Sequence, residues 1–300
     1  MRKITPAYLV ASFLLHNTWL SKHINDSSYL KILFKGYMGQ KLNLEAPKTY
    51  NEKLQWMKIH YFDENYTSMV DKYEAKKIIG ELIGEEYIIP TLGVWDSYDD
   101  INFSDLPDQF VLKCTHDSGG VYVCHDKSKI DHRKVRKQLE SSLNKNFYWE
   151  CREWPYKNIK PRIIAEKYME DHKMGQLIDY KFFTFNGEPK YMFIASDRQK
   201  AGEETKFDFF DMDFNYLQIK NGHPNSDITP IKPENFELMK ELAIKLSEGL
   251  PHVRVDFYEV DSKVYFGEMT FFHWSGLTPF IPEEWDYKLG EVFSLPKRNK

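Results

Sequence analysis

The sequence predicts an α+β fold, because hairpin patterns and helix patterns follow each other in separate blocks. The longest hairpin pattern covers residues 253–272, where two runs of β-branched and aromatic residues flank a polar break. A second hairpin pattern covers residues 177–195 and turns at Asn186-Gly187, a dipeptide favoured in two-residue turns. Between the hairpins, apolar residues at helical spacing predict a helix over 233–249.

The overall composition is typical of a globular protein with a substantial core. The chain has 300 residues, a formal net charge of -4 and 16% aromatic residues, which argues against disorder and against nucleic acid as its main partner. Cys114, Cys124 and Cys151 are too few and too widely spaced for a zinc knuckle or a disulfide framework. They fit a reducing compartment, so we expect a cytoplasmic protein.

The N-terminal residues 1–45 are predicted to be helical, with a polar interruption at Asn25 and Asp26. The apolar run from Ala7 to Leu15 is too short for a membrane span, which needs about 20 residues. It also lacks the small-residue cleavage site of a signal peptide. We interpret it as an amphipathic helix that packs on the protein or lies at an interface.

A capping-box pattern begins the next helix, because Thr49 precedes Glu52 by the required spacing. Three polar side chains on this helix are interpreted as a solvated face: Lys53, Gln55 and Lys58. A further helix over 69–84 and a strand over 85–92 would complete a small α/β region before residue 105.

A glycine-containing loop separates two predicted strands at 110–114 and 121–124. Backbone N–H groups beside Gly119 and Gly120 can approach phosphate closely, and Lys113 can add positive charge. The same pattern is also typical of an ordinary hairpin, so both interpretations stay open at this point.

Charged residues recur on the later strands. A strand over 163–169 ends in polar residues, and the second hairpin places Asp179 and Lys181 on one face by its period of two. Arg198 closes that hairpin and precedes a polar segment over 199–205, which is predicted to be a loop.

The register of the long hairpin decides which of its charged residues meet. A two-residue turn would put Asp256 and Glu268 on opposite faces. A three-residue loop over 261–263 would pair them and set Arg254 opposite Thr270. We predict the three-residue loop.

Two carboxylates side by side repel each other unless a cation lies between them, and oxygen ligands of this kind suit a Mg²⁺ ion that also holds phosphate. Arg254 would then face phosphate or acyl-phosphate charge. From the hairpin alone, a solvated Arg–Asp–Glu salt-bridge face is an equally open interpretation.

Taken in order, seven short motifs resemble one known family. They are Lys53-Leu-Gln-Trp56, Asp71-Lys-Tyr73, Glu86-Tyr-Ile-Ile-Pro90, Leu106-Pro-Asp108, Lys113-Cys-Thr-His116-Asp-Ser-Gly119, Asp179-Tyr-Lys-Phe182 and Arg254-Val-Asp256. The chain resembles the ATP-grasp superfamily, and within it the TupA-like branch associated with bacterial teichuronopeptide and capsular polysaccharide genes. The similarity covers roughly residues 45–290, which is more specific than any one motif.

The resemblance implies two α+β lobes that clasp a nucleotide. The implied division is an N-terminal helical and small α/β region over 1–105, a small ATP-grasp lobe over 106–168, and a C-terminal lobe with the metal-binding hairpin over 169–300.

The resemblance also implies a role for each matching residue. ATP would be bound by Lys113, His116, Ser118, Gly119, Gly120, Glu166, Lys167, Tyr168, Met169, Asp179 and Lys181. Mg²⁺ would be bound by Asp256, Glu268 and Thr270. The catalytic residues would be Arg198, Arg254 and Lys181. Thr270 stands where many ATP-grasp ligases have Asn, and its hydroxyl is a weaker ligand than an amide carbonyl.

The activity implied is that of an ATP-dependent carboxylate–amine ligase that uses Mg²⁺ and forms an acyl-phosphate. By resemblance, its substrates would be a uronic acid or other glycan carboxylate and an amino acid or amino sugar, with peripheral association with a membrane-linked glycan. A glycosyltransferase that uses a sugar nucleotide and a kinase on the same fold are the alternatives.

Overall fold

The computed structural model describes residues 4–117, 119–173, 175–198 and 202–299. Within these ranges the chain forms an α+β architecture with one four-stranded, one six-stranded and one two-stranded sheet, all paired antiparallel. The described helices are all too short or too polar to cross a membrane.

The helices are α1 Pro6–His16, α2 Thr18–Ser21, α3 Asp26–Met38, α4 Tyr50–His60, α5 Asn65–Val70, α6 Glu74–Ile83, α7 His132–Leu143, α8 Tyr148–Cys151, α9 Phe236–Ser247 and α10 Glu284–Val292. The strands are β1 Thr91–Trp95, β2 Phe110–Cys114, β3 Val121–Cys124, β4 Ile163–Lys167, β5 Asp179–Phe185, β6 Glu188–Ser196, β7 Lys206–Asp211, β8 Tyr216–Leu217, β9 Lys220–Asn221, β10 His252–Val260, β11 Lys263–Thr270 and β12 Phe280–Ile281.

The small sheet has the strand order β1-β4-β2-β3. Alternate residues of β2, such as Phe110 and Leu112, are buried in a core that includes Leu139 of α7. The residues between them face the other way, toward the large sheet. Strand β1 pairs with β4, so this sheet draws strands from both sides of the predicted boundary at 105/106. The three-part division of the chain stays a prediction.

The large sheet has the strand order β11-β10-β5-β6-β7-β8. Helix α9 covers one of its faces, where the rings of Phe182 and Phe236 lie 5.9 Å apart. The second hairpin forms as predicted, and Asn186 and Gly187 make its turn with φ of 52° and 82°. The opposite face of the sheet carries charged side chains and looks toward the small sheet.

The long hairpin pairs Asp256 with Glu268 and Arg254 with Thr270, as predicted, but the predicted loop is wrong. Its turn has two residues, Asp261 and Ser262, with φ of 50° and 64°. A β-bulge between Asp256 and Phe257 supplies the extra residue that restores the pairing.

Gly267 lies in this bulge. A Cβ atom at that position would be 3.0 Å from the Asp256 carbonyl oxygen and 3.2 Å from the Tyr258 ring. A larger residue at this position would therefore crowd the partner strand, which would have to shift by a few tenths of an ångström.

Two further predictions need correction. The helix predicted over 69–84 is broken into α5 and α6, because the Asp71 carboxylate accepts hydrogen bonds from the N–H groups of Tyr73 and Glu74. Of the strand predicted over 85–92, only its last two residues, Thr91 and Leu92, belong to a strand, since residues 85–87 form a 3-10 turn.

The polar side chains of α4 are not a solvated face. Gln55 and Lys58 are buried and donate hydrogen bonds to the carbonyl oxygen of Ser275, while the Lys53 ammonium donates to carbonyl oxygens at the end of α10. The capping box that begins α4 is confirmed.

Candidate active site

A cleft of about 430 Å³ lies between the small and the large sheets. Both sheets and the helix region before β1 contribute charged side chains to it: Lys72, Lys76, Lys113, Glu166, Asp179, Arg198 and Glu268. Its apolar lining includes Ile88, Ile89, Val111, Phe266 and Met269. The cleft therefore combines apolar lining with several charged side chains, and both are needed to bind a nucleotide.

Glu166 forms the charged centre of the small-sheet wall. Its carboxylate lies 2.5 Å from the Lys113 ammonium and 2.8 Å from the Lys76 ammonium. Burial acts to raise the pKa of Glu166, but the two lysines outweigh it and lower this pKa to about 2. Glu166 is therefore ionised, and it holds both lysines at the cleft wall.

The depressed pKa of Glu166 predicts a pH dependence of stability. A folded-state pKa of about 2, below the ordinary 4.5, stabilises the fold above pH 4.5, and this contribution is lost as the pH falls toward 2. We expect the difference in free energy of unfolding between wild type and Glu166→Gln to shrink by about 2 kcal/mol between about pH 6 and pH 3. Urea titrations measure it, and a difference that stays constant would contradict the ion-pair assignment.

The large-sheet wall carries a chain of ion pairs on one face. Register places Asp256 opposite Lys181 and Tyr258 opposite Asp179, so the period of two gathers these side chains. The Lys181 ammonium lies 2.9 Å from Asp179 and also contacts Asp256. Arg198 lies 2.5 Å from the Asp179 carboxylate.

Arg254 binds Asp256 through two hydrogen bonds of 2.7 Å, from Nε and Nη2 to the two carboxylate oxygens. Its Nη2 also lies 3.1 Å from Glu268 Oε1 and 3.0 Å from the Thr270 hydroxyl. Burial raises the pKa of Asp256, while Arg254 and Lys181 act to lower it. The three acids and three bases of this wall therefore balance in charge: Asp179, Asp256, Glu268, Lys181, Arg198 and Arg254.

Glu268 is the acid of this set that is open to the cleft, with 44% of its side chain exposed. Burial acts to raise its pKa, but the fields of Lys181, Arg254, Lys72 and Arg198 lower it to about 2. Glu268 is thus an ionised and accessible carboxylate, and it lies where the cleft meets the chain of ion pairs.

Mg²⁺ is bound in proteins by one or two carboxylates together with water and phosphate oxygens. Glu268 fits this role as it stands. Asp256 fits only if Arg254 or Lys181 releases it, because both of its oxygens accept hydrogen bonds. The described residues hold no cluster of three or more His, Cys, Asp or Glu side chains arranged for a metal. Thr270 donates a hydrogen bond of 3.3 Å to Glu268 and so positions that carboxylate.

Several predicted nucleotide-binding residues lie outside the cleft. His116 is buried and its Nε2 contacts the carbonyl oxygens of Ser142 and Lys145. Gly119 lines a separate cavity beside α7, and the N–H of Gly120 donates to Asp117. Lys167 and Tyr168 line a surface cavity at the far end of β4, and Met169 follows them without lining the cleft. Ser118 lies outside the described residues.

Sequence reasoning missed Lys76, which shares Glu166 with Lys113, and Tyr156 and Tyr258, which line the cleft. Lys72, the middle residue of the Asp71-Lys-Tyr73 motif, also lines the cleft, although the resemblance implied no role for it. Helical spacing gave no signal for this pair, because Lys72 lies in the break between α5 and α6 and only Lys76 belongs to a helix.

A left-handed loop follows Glu268 and Thr270. Trp274, Ser275 and Gly276 all have positive φ, of 48°, 54° and 60°. Lys58 and Gln55 anchor this loop through its carbonyl oxygens. Non-glycine residues adopt positive φ only where the surrounding structure imposes it. The conformation of this loop is therefore fixed by its contacts.

Two antiparallel sheets with a cleft between them agree with the two lobes that the resemblance to the ATP-grasp superfamily implies. The chain belongs to the TupA-like ATP-grasp family: the sequence model described as "TupA-like ATPgrasp" matches residues 52–294. This match confirms the predicted superfamily and branch. None of the curated proteins compared with the chain matches it.

Three solved structures of ligases are among those similar to the chain. D-alanine–D-alanine ligase from Bacillus anthracis complexed with ATP is 15% identical, with 90% of this chain and 82% of that chain covered and a TM-score of 0.41. A second structure of that ligase is 18% identical, with 68% and 57% covered and a TM-score of 0.39. The ATP-grasp ligase PsnB complexed with minimal precursor is 7% identical, with 69% and 54% covered and a TM-score of 0.40. The chain thus spans little more than half the length of the last two proteins.

Proposed function

We propose that the protein is an ATP-dependent ligase that joins a carboxylate to an amine. The observation that carries this proposal is the cleft, which is lined by Lys113 of the small sheet, by Arg198 just after β6 and by the ionised Glu268. Together with membership of the TupA-like ATP-grasp family, this charge pattern supports a site for Mg²⁺-bound ATP.

In this proposal the substrate carboxylate attacks the γ-phosphorus of ATP, which gives an acyl-phosphate and ADP. The amine then attacks the acyl carbon, inorganic phosphate leaves, and an amide forms. Lys113 and Arg198 would hold phosphate oxygens, and Glu268, with Asp256 once it is released, would hold Mg²⁺, which neutralises phosphate charge when bound. Arg254 and Lys181, freed from Asp256, would stabilise the transferring phosphoryl group.

The described side chains support a mechanism without a covalent protein nucleophile. Cys114, Cys124 and Cys151 are buried, and burial raises the pKa of Cys114 to about 12 and that of Cys151 to about 11. These thiols are free and unreactive at neutral pH, which also supports our proposal of a cytoplasmic protein.

For the acceptor we propose a sugar acid of a bacterial surface glycan. The exposed ring of Trp274 supports this, since flat aromatic rings bind the apolar faces of sugars. Trp274 follows His273, whose Nδ1 accepts a 2.7 Å hydrogen bond from Arg254. Beside it, within the described chain, the buried Nδ1 of His223 has no hydrogen-bond partner and would suit a sugar hydroxyl.

Removal of the Trp274 ring is therefore expected to weaken acceptor binding specifically. We expect Trp274→Ala to raise the KM for the acceptor about tenfold, because one good ring contact is lost. The KM for ATP should be unchanged. Tyr287→Ala is the matched control, because Tyr287 has a similar exposed fraction of 43% against 42% for Trp274. Equal effects on both KM values would contradict an acceptor role.

The activity itself is tested by ADP release from ATP with a panel of uronic acids, each with and without amino acids or amino sugars. We expect ADP release to require both the carboxylate and the amine. Hydroxylamine in place of the amine should trap the acyl-phosphate as a hydroxamate. ADP release with a hydroxylated sugar alone, without hydroxamate, would indicate a kinase. Cleavage of a sugar nucleotide without ATP turnover would indicate a glycosyltransferase.

A further inference from the structure

The N-terminal helices carry a concentration of exposed apolar side chains. Six large apolar residues between positions 4 and 20 are exposed by 38% to 75%: Ile4, Leu9, Val10, Phe13, Trp19 and Leu20. This strip lies before residue 52, where the match to the TupA-like family begins. It is not part of the cleft described above.

Helix α1 is apolar on both of its faces, and no Asp, Glu, Lys or Arg lies within it. Its inner face packs closely on α3: Ala11 is fully buried, and a Cβ atom at Gly36 would lie 2.4 Å from the Ala11 Cβ. The outer face presents Leu9, Val10 and Phe13 to solvent. An ordinary surface helix is polar on its outer face, so this one is built to meet an apolar environment.

The charged side chains of the segment that carries this strip have one sign. Residues 1–25 contain Arg2, Lys3 and Lys22 but no Asp or Glu, although the whole chain has a net charge of -4. The first acidic residue, Asp26, lies 2.7 Å from the guanidinium of the buried Arg152, which neutralises it. The strip is thus complementary to a negatively charged apolar surface.

A second copy of the chain fits this apolar strip less well than a negatively charged apolar surface does. From Ile4 to Leu20 the strip is about 25 Å long and one helix, about 10 Å, wide. A strip only one helix wide is narrow for a stable interface, which buries ~800 Å² of accessible surface on each partner. A symmetric contact would also bring two basic segments together.

We infer that α1 and α2 form an interfacial anchor that inserts its apolar side chains into an anionic phospholipid surface. Phe13 and Trp19, with exposed fractions of 56% and 70%, are the largest inserted groups. Lys22, at the end of α2, contacts lipid phosphates. The anchor lies on the membrane and does not cross it.

Vesicle co-sedimentation of the full chain tests this anchor. We expect binding to phosphatidylcholine vesicles that contain about one third phosphatidylglycerol, and much weaker binding to phosphatidylcholine alone or at high salt. The double variant Phe13→Ser, Trp19→Ser should lose binding at least tenfold. Ile231→Ser, which removes an equally exposed side chain elsewhere, should bind as wild type does.

Two results would overturn the anchor. One is wild-type protein that stays in the supernatant with anionic vesicles at low salt. The other is sedimentation equilibrium in which wild type is a dimer and the Phe13→Ser, Trp19→Ser variant a monomer, because the strip would then be a contact between copies. Far-UV circular dichroism confirms that the variants are folded, which is expected since both side chains are exposed.

Discussion

Glu268→Gln is expected to lower ATP-dependent ADP release by about 10²–10³-fold, the typical effect of removing one preorganised electrostatic group. Glu268 is the cleft-facing acid of the hairpin, and its pKa of about 2 makes it fully ionised at neutral pH. Gln keeps its size but removes the charge that would hold Mg²⁺. Steady-state ADP release at saturating ATP measures the change.

The matched control is Glu241→Gln, which removes an exposed acid from α9 on the opposite face of the large sheet. It should leave ADP release unchanged. Because Glu268 is half-exposed, its substitution should cost less stability than substitution of the buried Asp256. Full activity of Glu268→Gln would remove this residue from the site.

Asp256→Ala is expected to have the largest effect on stability, a loss of about 3–5 kcal/mol in free energy of unfolding. Asp256 is 1% exposed and contacts both Arg254 and Lys181. Without this carboxylate, the buried cations Arg254 and Lys181 lose a counter-ion. The free-energy cost of an unbalanced buried cation exceeds the net contribution of an intact ion pair. Urea unfolding of Asp256→Ala and of the exposed control Asp213→Ala measures the difference.

The double variant Asp256→Ala, Arg254→Met tests the cause of this loss. If an uncompensated cation is responsible, removal of Arg254 as well should recover part of the stability lost in the single variant. A single variant that loses less than about 1 kcal/mol would show that the buried network does not depend on Asp256.

The pairing of Asp256 with Glu268 could be predicted from the sequence, but its cause could not. Turn chemistry alone left two-residue and three-residue loops open, and the bulge decided the register. Gly267 inside a strand pattern was the available sign of that bulge. The apolar alternation and the Asn186-Gly187 turn were sufficient for the second hairpin, because both are local features.

Contacts between segments that are distant in the sequence could not be predicted from local patterns. Lys58 has the sequence pattern of a solvent-exposed helix residue, yet the left-handed loop at 274–276 buries it and uses its ammonium group. The glycine loop after Lys113 has the composition of a phosphate-binding loop. In the structure, the Asp117 carboxylate already accepts from its Gly120 N–H, a pairing that composition does not reveal.

The central claim is that the cleft between the two sheets binds Mg²⁺-bound ATP. Calorimetric titration with the magnesium complex of a non-hydrolysable ATP analogue tests it most directly, with Lys113→Met and Lys167→Met compared with wild type. Lys113 lines the cleft and Lys167 lies outside it, while Lys76 still pairs with Glu166 in either variant.

We expect wild type to bind the analogue and Lys113→Met to bind it at least tenfold more weakly, because one charge-assisted hydrogen bond is lost. Binding by Lys167→Met should be unchanged. Equal weakening by both substitutions, or no binding by wild type, would contradict the central claim.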